Sequence, residues 1–111
     1  QQKKYKSWGG DRPGWSHRGY MPRIATVYNR DPRRMPFDFP DVLAAIAPRA
    51  LFVNAPLHDA NFEVSGVRDC LQTAGPLFPK QNLEAAYPDS EHDFPGEARL
   101  SAWRFLDDRL R

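Results

Sequence analysis

The apolar positions after residue 40 alternate between short runs and stretches with helical spacing. Residues 50–55 (ALFVNA) form a nearly all-apolar run, which is typical of a strand buried on both faces of a parallel sheet. Residues 83–87 (LEAAY) predict a second short strand. Polar loops follow both runs, at residues 56–62 (PLHDANF) and residues 88–95 (PDSEHDFP).

Amphipathic stretches around these runs predict three helices. Asp38 is a suitable N-cap and Pro40 falls in the first turn of a short helix that Pro48 would end. Helical spacing predicts a second helix over about residues 63–74 and a third from about residue 95 or 96 to residue 110. The strand–helix–strand order is that of a right-handed crossover unit, so the predicted fold class is α/β. Because two strands do not make a stable doubly wound sheet, either partner strands come from elsewhere or the chain is the end of a longer one.

Residues 1–40 follow neither pattern. Glycine and proline interrupt them too often for a long helix or strand, although residues 22–28 (PRIATVY) fit a short helix or turn. Large apolar residues are frequent, which is unusual for a disordered segment, so we expect this segment to pack against something. It holds nine Lys and Arg against three Asp and Glu, whereas residues 41–111 hold seven against eleven. The chain therefore divides near Pro40 into a basic, aromatic, irregular segment and an acidic, regular remainder.

The composition narrows the class of protein further. A chain of 111 residues with 41% apolar residues can form one modest core, and eleven prolines argue against a helical bundle. The longest apolar run, residues 42–47, is far shorter than the roughly 20 residues that a membrane span needs. The N-terminus does not have the pattern of a signal peptide. The single cysteine, Cys70, excludes an intrachain disulfide and a multi-cysteine zinc site.

The loops after the two predicted strands hold the candidate chemistry, because ligands bind at the carboxyl ends of the strands in open α/β sheets. The first loop carries Asp59 and the second carries His92. An Asp that holds the imidazole of a neighbouring His in one tautomer is two-thirds of a hydrolytic triad. The histidine would act as general base and later as general acid. The plainer alternative is that Asp59 caps the following helix and His92 is an ordinary loop histidine.

Four strings follow one another along the chain: GYMPRI (19–24), PFDFPDVLAAIAPRALFVNAPLHDANF (36–62), YPDSEHDFP (87–95) and WRFLD (103–107). Through them the chain resembles the C-terminal part of an α/β-hydrolase family that spans dienelactone-hydrolase-like, acetylxylan-esterase-like and prolyl-oligopeptidase-like enzymes. The resemblance implies that residues 41–111 are the last two parallel strands of that sheet with their flanking helices, an incomplete domain. It implies that Asp59 is the catalytic acid and His92 the catalytic histidine. The implied activity is that of a serine hydrolase acting on carboxylic esters, without metal or organic cofactor, and the alternative is a prolyl-oligopeptidase-like peptidase.

The nucleophile of that family lies in a G-x-S-x-G turn between a strand and a helix, and no such pentapeptide occurs here. Ser16, within GWSHRG, has no apolar strand before it and no helix after it, and we interpret it as a loop serine. The resemblance therefore places the serine upstream of Gln1, so that the missing N-terminal hydrolase portion is required and the 111 residues alone are inactive. Residues 1–40 would be an excursion that covers the site. Candidate residues for binding a small-molecule or carbohydrate ester are Trp15, Tyr20 and His58.

The basic, aromatic start also fits a second class of function, since Lys and Arg neutralise phosphates and aromatic rings stack on bases. It contains no recognisable nucleic-acid-binding motif. We therefore expect neither nucleic acid nor a membrane as a partner. A third alternative is a non-catalytic interaction piece.

Overall fold

Helices and strands alternate in the computed structural model, which describes residues 16–111. In chain order the elements are α1 (Pro22–Thr26), α2 (Phe39–Ala44), β1 (Leu51–Asn54), α3 (Val64–Ala74), β2 (Leu83–Ala86) and α4 (Gly96–Leu110). Short 3-10 turns lie at Pro32–Arg34, Gly75–Leu77 and Lys80–Asn82. Strands β1 and β2 are parallel, and their register runs from Leu51 opposite Leu83 to Asn54 opposite Ala86. The predicted strand–helix–strand order and the α/β character are confirmed.

Helix α2 begins at the predicted cap and ends earlier than predicted. Asp38 and Asp41 form a capping box, in which each carboxylate accepts a backbone N–H near the start of the helix. The helix ends at Ala44, and tighter turns follow, with Ile46 N–H donating to Leu43 at 3.0 Å. Pro48 disfavours the helical conformation at the residue before it, so the last turn loosens ahead of the proline.

Strand β1 is half-buried along its whole length, so the prediction of a strand buried on both faces is wrong for the described chain. On one side its Phe52 ring packs against Phe105 of α4, with ring centroids 5.8 Å apart. Helix α3 packs against α2, and its inward residues Cys70 and Ala74 are buried. Within residues 16–111, β1 pairs with β2 along one edge only, and this limited sheet leaves the strand partly accessible.

Helix α4 carries two apolar faces rather than one. Ala98, Ala102 and Phe105 are buried beneath it, as their helical spacing predicts. The apolar residues of the other face are exposed: Leu100, Trp103, Leu106 and Leu110. Helical spacing alone did not separate the packed face from the exposed one. None of the helices within residues 16–111 has the length and apolar content needed to cross a bilayer.

The described part of the basic segment is held together by Ser16, which is fully buried. Its hydroxyl donates to the Met21 carbonyl at 2.9 Å and accepts the Ala25 N–H at 3.0 Å. The Arg30 guanidinium donates to the Ser16 carbonyl at 3.1 Å. Both hydrogen-bonding capacities of the hydroxyl are therefore engaged within the segment around α1, where Ser16 supports a turn.

Candidate active site

Two loops leave the carboxyl ends of β1 and β2 side by side. The acid loop is defined as residues 55–63 and the histidine loop as residues 87–95. Their backbones continue the pairing of the strands, because Leu57 N–H donates to the Pro88 carbonyl at 2.9 Å and His58 N–H donates to the Ser90 carbonyl at 3.1 Å. The parallel sheet therefore brings together the two loops that carry the candidate catalytic residues.

Asp59 and His92 meet between these loops. The distance from His92 Nδ1 to Asp59 Oδ2 is 2.9 Å, although the residues are 33 positions apart in the sequence. The Asp59 side chain is 5% exposed and the His92 side chain is 60% exposed. The pair therefore combines a buried acid with an accessible imidazole.

The second oxygen of Asp59 is engaged within the acid loop. Oδ1 accepts the backbone N–H of Asn61 at 2.7 Å and that of Phe62 at 3.1 Å. This is the local turn that an aspartate forms with the backbone two and three residues ahead. The N-cap residue of α3 is Glu63, so the alternative in which Asp59 caps that helix is wrong.

These contacts determine the charge of Asp59. Burial raises its pKa, but the hydrogen bond with His92 and the two backbone N–H groups lower it by more, so the pKa lies below the ordinary value of 3.8. Asp59 is therefore a carboxylate at neutral pH, and its Oδ2 accepts a hydrogen bond from the N–H at Nδ1 of His92. That tautomer leaves the lone pair of Nε2 available to take a proton.

Two residues that the sequence reasoning missed help to hold His92. The Phe62 ring stacks on the imidazole, with centroids 5.8 Å apart and an angle of 10° between the planes. The Asn54 side chain donates from Nδ2 to the carbonyl of Asp93 at 2.9 Å. The available signals were weak: Asn54 is the polar residue of an apolar run, and Phe62 is an aromatic residue in a polar loop.

A cavity of about 580 Å³ opens beside the pair. Asp59 and His92 lie in its wall together with Asn54, while Val53, Phe62, Val67 and Phe94 are among its apolar lining residues. A smaller apolar cavity of about 150 Å³ shares Val53, Phe62 and Val67 with it and reaches Cys70. Burial raises the pKa of the Cys70 thiol, which keeps it protonated and unsuited to act as a nucleophile.

The remaining candidate residues lie elsewhere. The His58 side chain contacts Asp89 rather than the cavity, with 2.6 Å between Nε2 and Oδ1. Tyr20 is exposed, forms a backbone bridge with His17 and is not among the cavity-lining residues. Trp15 lies outside the described residues.

The serines of residues 16–111 all donate their hydroxyls locally. Their acceptors are Met21 O for Ser16, Glu63 Oε1 for Ser65, Glu91 O for Ser90 and Glu97 O for Ser101. The described residues therefore bring a carboxylate and an imidazole into contact, and the described serine hydroxyls donate to acceptors other than His92. Within the same residues, His, Cys, Asp and Glu side chains do not gather in a group of three that could hold a metal ion.

Comparisons with protein-family models, curated proteins and solved structures find no match to this chain.

Proposed function

We propose that this chain supplies the acid and the histidine of a Ser-His-Asp triad in a serine hydrolase of the α/β-hydrolase kind. The observation that carries the proposal is the hydrogen bond between His92 Nδ1 and the buried, ionised Asp59 at the carboxyl ends of two parallel strands. This is the placement that the resemblance implies and the geometry that orients an imidazole as a base.

In the proposed reaction, a serine oxygen attacks the acyl carbon of a carboxylic ester while Nε2 of His92 takes the serine proton. The intermediate then expels the alcohol, which receives that proton from His92, and an acyl-serine remains. Water attacks the acyl-serine, gives a proton to the same nitrogen, and the carboxylic acid leaves as the proton returns to serine. Asp59 holds the imidazole and stabilises the imidazolium that forms in each half.

The serine is proposed to lie upstream of Gln1, together with the first strands of the sheet. Two surfaces support this part of the proposal. The edge of β1 that does not face β2 is unpaired within residues 16–111, and an apolar strand of this kind is usually covered on both sides. The exposed face of α4, with Leu100, Trp103 and Leu106, is a second apolar surface that the rest of such a domain would cover.

The proposed substrate is a small-molecule or carbohydrate ester. The cavity beside His92 is open and has mostly apolar walls, with the polar groups concentrated around the pair. Such a site admits an acyl or alcohol group while it keeps the reacting bond near the imidazole. A peptide bond would require the same triad, so an ester and a prolyl anilide are compared directly in the test.

The experiment begins from the full-length polypeptide, meaning the product of the reading frame that contains this chain with its upstream sequence. We expect a fluorophosphonate probe to label a serine within a G-x-S-x-G sequence upstream of Gln1. His92→Ala and Asp59→Asn should slow this labelling by at least about 100-fold. His17→Ala and Asp107→Asn are matched controls, because they change the same residue types away from the pair.

Hydrolysis of p-nitrophenyl acetate and of a prolyl p-nitroanilide then assigns the bond that is cleaved. We expect turnover of the ester, and no turnover by the 111 residues alone. A reading frame with a stop codon or no G-x-S-x-G upstream would overturn the enzymatic proposal. Turnover by the 111 residues that disappears in Asp59→Asn and His92→Ala would overturn the requirement for an upstream serine.

A further inference from the structure

A second histidine–carboxylate contact crosses between the same two loops in the opposite sense. His58 of the acid loop contacts Asp89 of the histidine loop, with 2.6 Å between Nε2 and Oδ1. We propose that His58 and Asp89 are a positioning pair that fixes the histidine loop over Asp59. The contact itself is independent of the proposed hydrolase function, whereas its consequence for catalysis rests on that function.

His58 and Asp89 lie close in the sequence to the two residues of the candidate catalytic pair. His58 directly precedes Asp59, and Asp89 lies three residues before His92. A change in the distance between His58 and Asp89 is therefore transmitted to Asp59 and His92 through very short lengths of backbone. Two side-chain contacts between the same loops restrict the movement of one loop past the other more than a single contact would.

The histidine loop is held from both sides of His92. On one side, His58 N–H donates to the Ser90 carbonyl at 3.1 Å, next to the His58–Asp89 contact. On the other side, Asn54 Nδ2 donates to the Asp93 carbonyl at 2.9 Å. The stretch between these attachments carries His92 without belonging to a helix or strand. Such a stretch depends on its attachments for the position of its side chains.

The His58–Asp89 contact can position the histidine loop without contributing much to the free energy of unfolding. Both side chains of the pair are exposed, and exposed ion pairs contribute little to the free energy of unfolding. The same contact can still decide whether His92 lies within hydrogen-bonding distance of Asp59, because a misplacement of about 1 Å at a reacting group has a large effect. Loss of the pair should therefore weaken the hydrogen bond between His92 and Asp59, while the melting temperature changes little.

The test observes the His92 ring directly, without any need for turnover. The full-length polypeptide is labelled with ¹⁵N at histidine, and the His92 resonances are assigned as those that disappear in His92→Gln. The exchange rate of the Nδ1 proton with solvent reports the hydrogen bond to Asp59, and the ring ¹⁵N shifts report the tautomer. The variants are His58→Ala and Asp89→Ala, with Glu91→Gln as the control because it removes a carboxylate from the same loop.

We expect exchange of the His92 Nδ1 proton to be about three- to fivefold faster in His58→Ala and in Asp89→Ala, the change that corresponds to an exposed contact worth up to about 1 kcal/mol. The Glu91→Gln control should stay within about twofold of the parent. His58→Gln should restore slow exchange, because its side-chain amide can donate to Asp89.

Exchange that stays within twofold in both alanine variants would overturn the proposal. Faster exchange at many backbone amides of these variants, with a matching fall in melting temperature, would overturn it as well, since it would show general destabilisation. The proposed hydrolase function fails separately, by the absence of a probe-labelled serine, and that failure leaves the exchange rate of His92 unaffected.

Discussion

The two histidine–carboxylate pairs of this molecule have the same chemical groups in different surroundings. Their imidazoles are almost equally accessible, since the side chain of His92 is 60% exposed and that of His58 is 63% exposed. Their acids differ sharply: the Asp59 side chain is 5% exposed and the Asp89 side chain is 85% exposed. Burial of the carboxylate, rather than burial of the imidazole, therefore distinguishes the candidate catalytic pair from the other.

Burial of Asp59 is tolerated because the acid loop supplies its partners. Two backbone N–H groups and the His92 ring satisfy both carboxylate oxygens, which removes the penalty of an unpaired buried charge. Asp89 lies in solvent, where water can replace the His58 contact at little cost. The same hydrogen-bond chemistry therefore stabilises the fold in the buried pair, whereas the exposed pair contributes little stability and its proposed effect is on the position of the histidine loop.

The largest expected contrast is in turnover. In the full-length polypeptide, Asp59→Asn should reduce kcat for p-nitrophenyl acetate by about 10⁴-fold, because an amide nitrogen in place of Oδ2 selects the wrong imidazole tautomer. Asp89→Asn should reduce kcat by no more than about tenfold, because the amide oxygen of Asn can still accept the His58 hydrogen bond. Equal losses in the two variants would contradict the distinction between the pairs.

The second contrast is in the free energy of unfolding, measured by urea denaturation. Asp59→Ala removes the carboxylate that accepts hydrogen bonds from the Asn61 and Phe62 N–H groups and from His92, and should cost about 2–3 kcal/mol. Asp89→Ala should cost less than about 1 kcal/mol, as expected for an exposed pair. A loss in Asp89→Ala as large as that in Asp59→Ala would mean that the exposed pair is part of the stabilising core.

The third contrast separates two phenylalanines of the cavity wall. Phe62 stacks on His92, whereas Phe94 lines the same cavity with similar exposure. Phe62→Ala should lower kcat by about three- to tenfold through loss of the aromatic contact that orients the imidazole, a contact worth about 0.5–1.5 kcal/mol. Phe94→Ala, the matched control, should change mainly KM, and Phe62→Tyr should preserve the stack and the rate. A larger loss of kcat in Phe94→Ala would show that ring orientation does not depend on Phe62.

The sequence predicts the elements and the Asp59–His92 pair for the same physical reason. Strand runs and helical spacing are local patterns, and parallel strands bring the loops at their carboxyl ends together whatever the loop sequences are. The contacts of Asn54 with Asp93 and of His58 with Asp89 join residues 39 and 31 positions apart and depend on the course of the loops. No local pattern encodes that course. The sequence does not predict that one apolar face of α4 is exposed. Helical spacing shows which residues share a face, but it does not show whether another element covers that face.

The smallest expected effect is a pH dependence that also tests why the buried acid is ionised. The folded-state pKa of Asp59 lies below its ordinary value of 3.8, because its hydrogen bonds outweigh the opposing effect of burial. A carboxyl group with a lowered folded-state pKa stabilises the folded state fully above the unfolded-state value, and this contribution is lost as the pH falls through the folded-state pKa. The difference in unfolding free energy between the parent chain and Asp59→Asn should therefore shrink as the pH falls below about pH 4. Urea denaturation at each pH measures this difference, with Asp107→Asn as a control for the general effect of acid. A difference that instead grows as the pH falls would mean that burial raises the pKa of Asp59 by more than its hydrogen bonds lower it. The comparison between a buried, ionised Asp59 and an exposed Asp89 would then fail, because Asp59 would not be ionised by its surroundings.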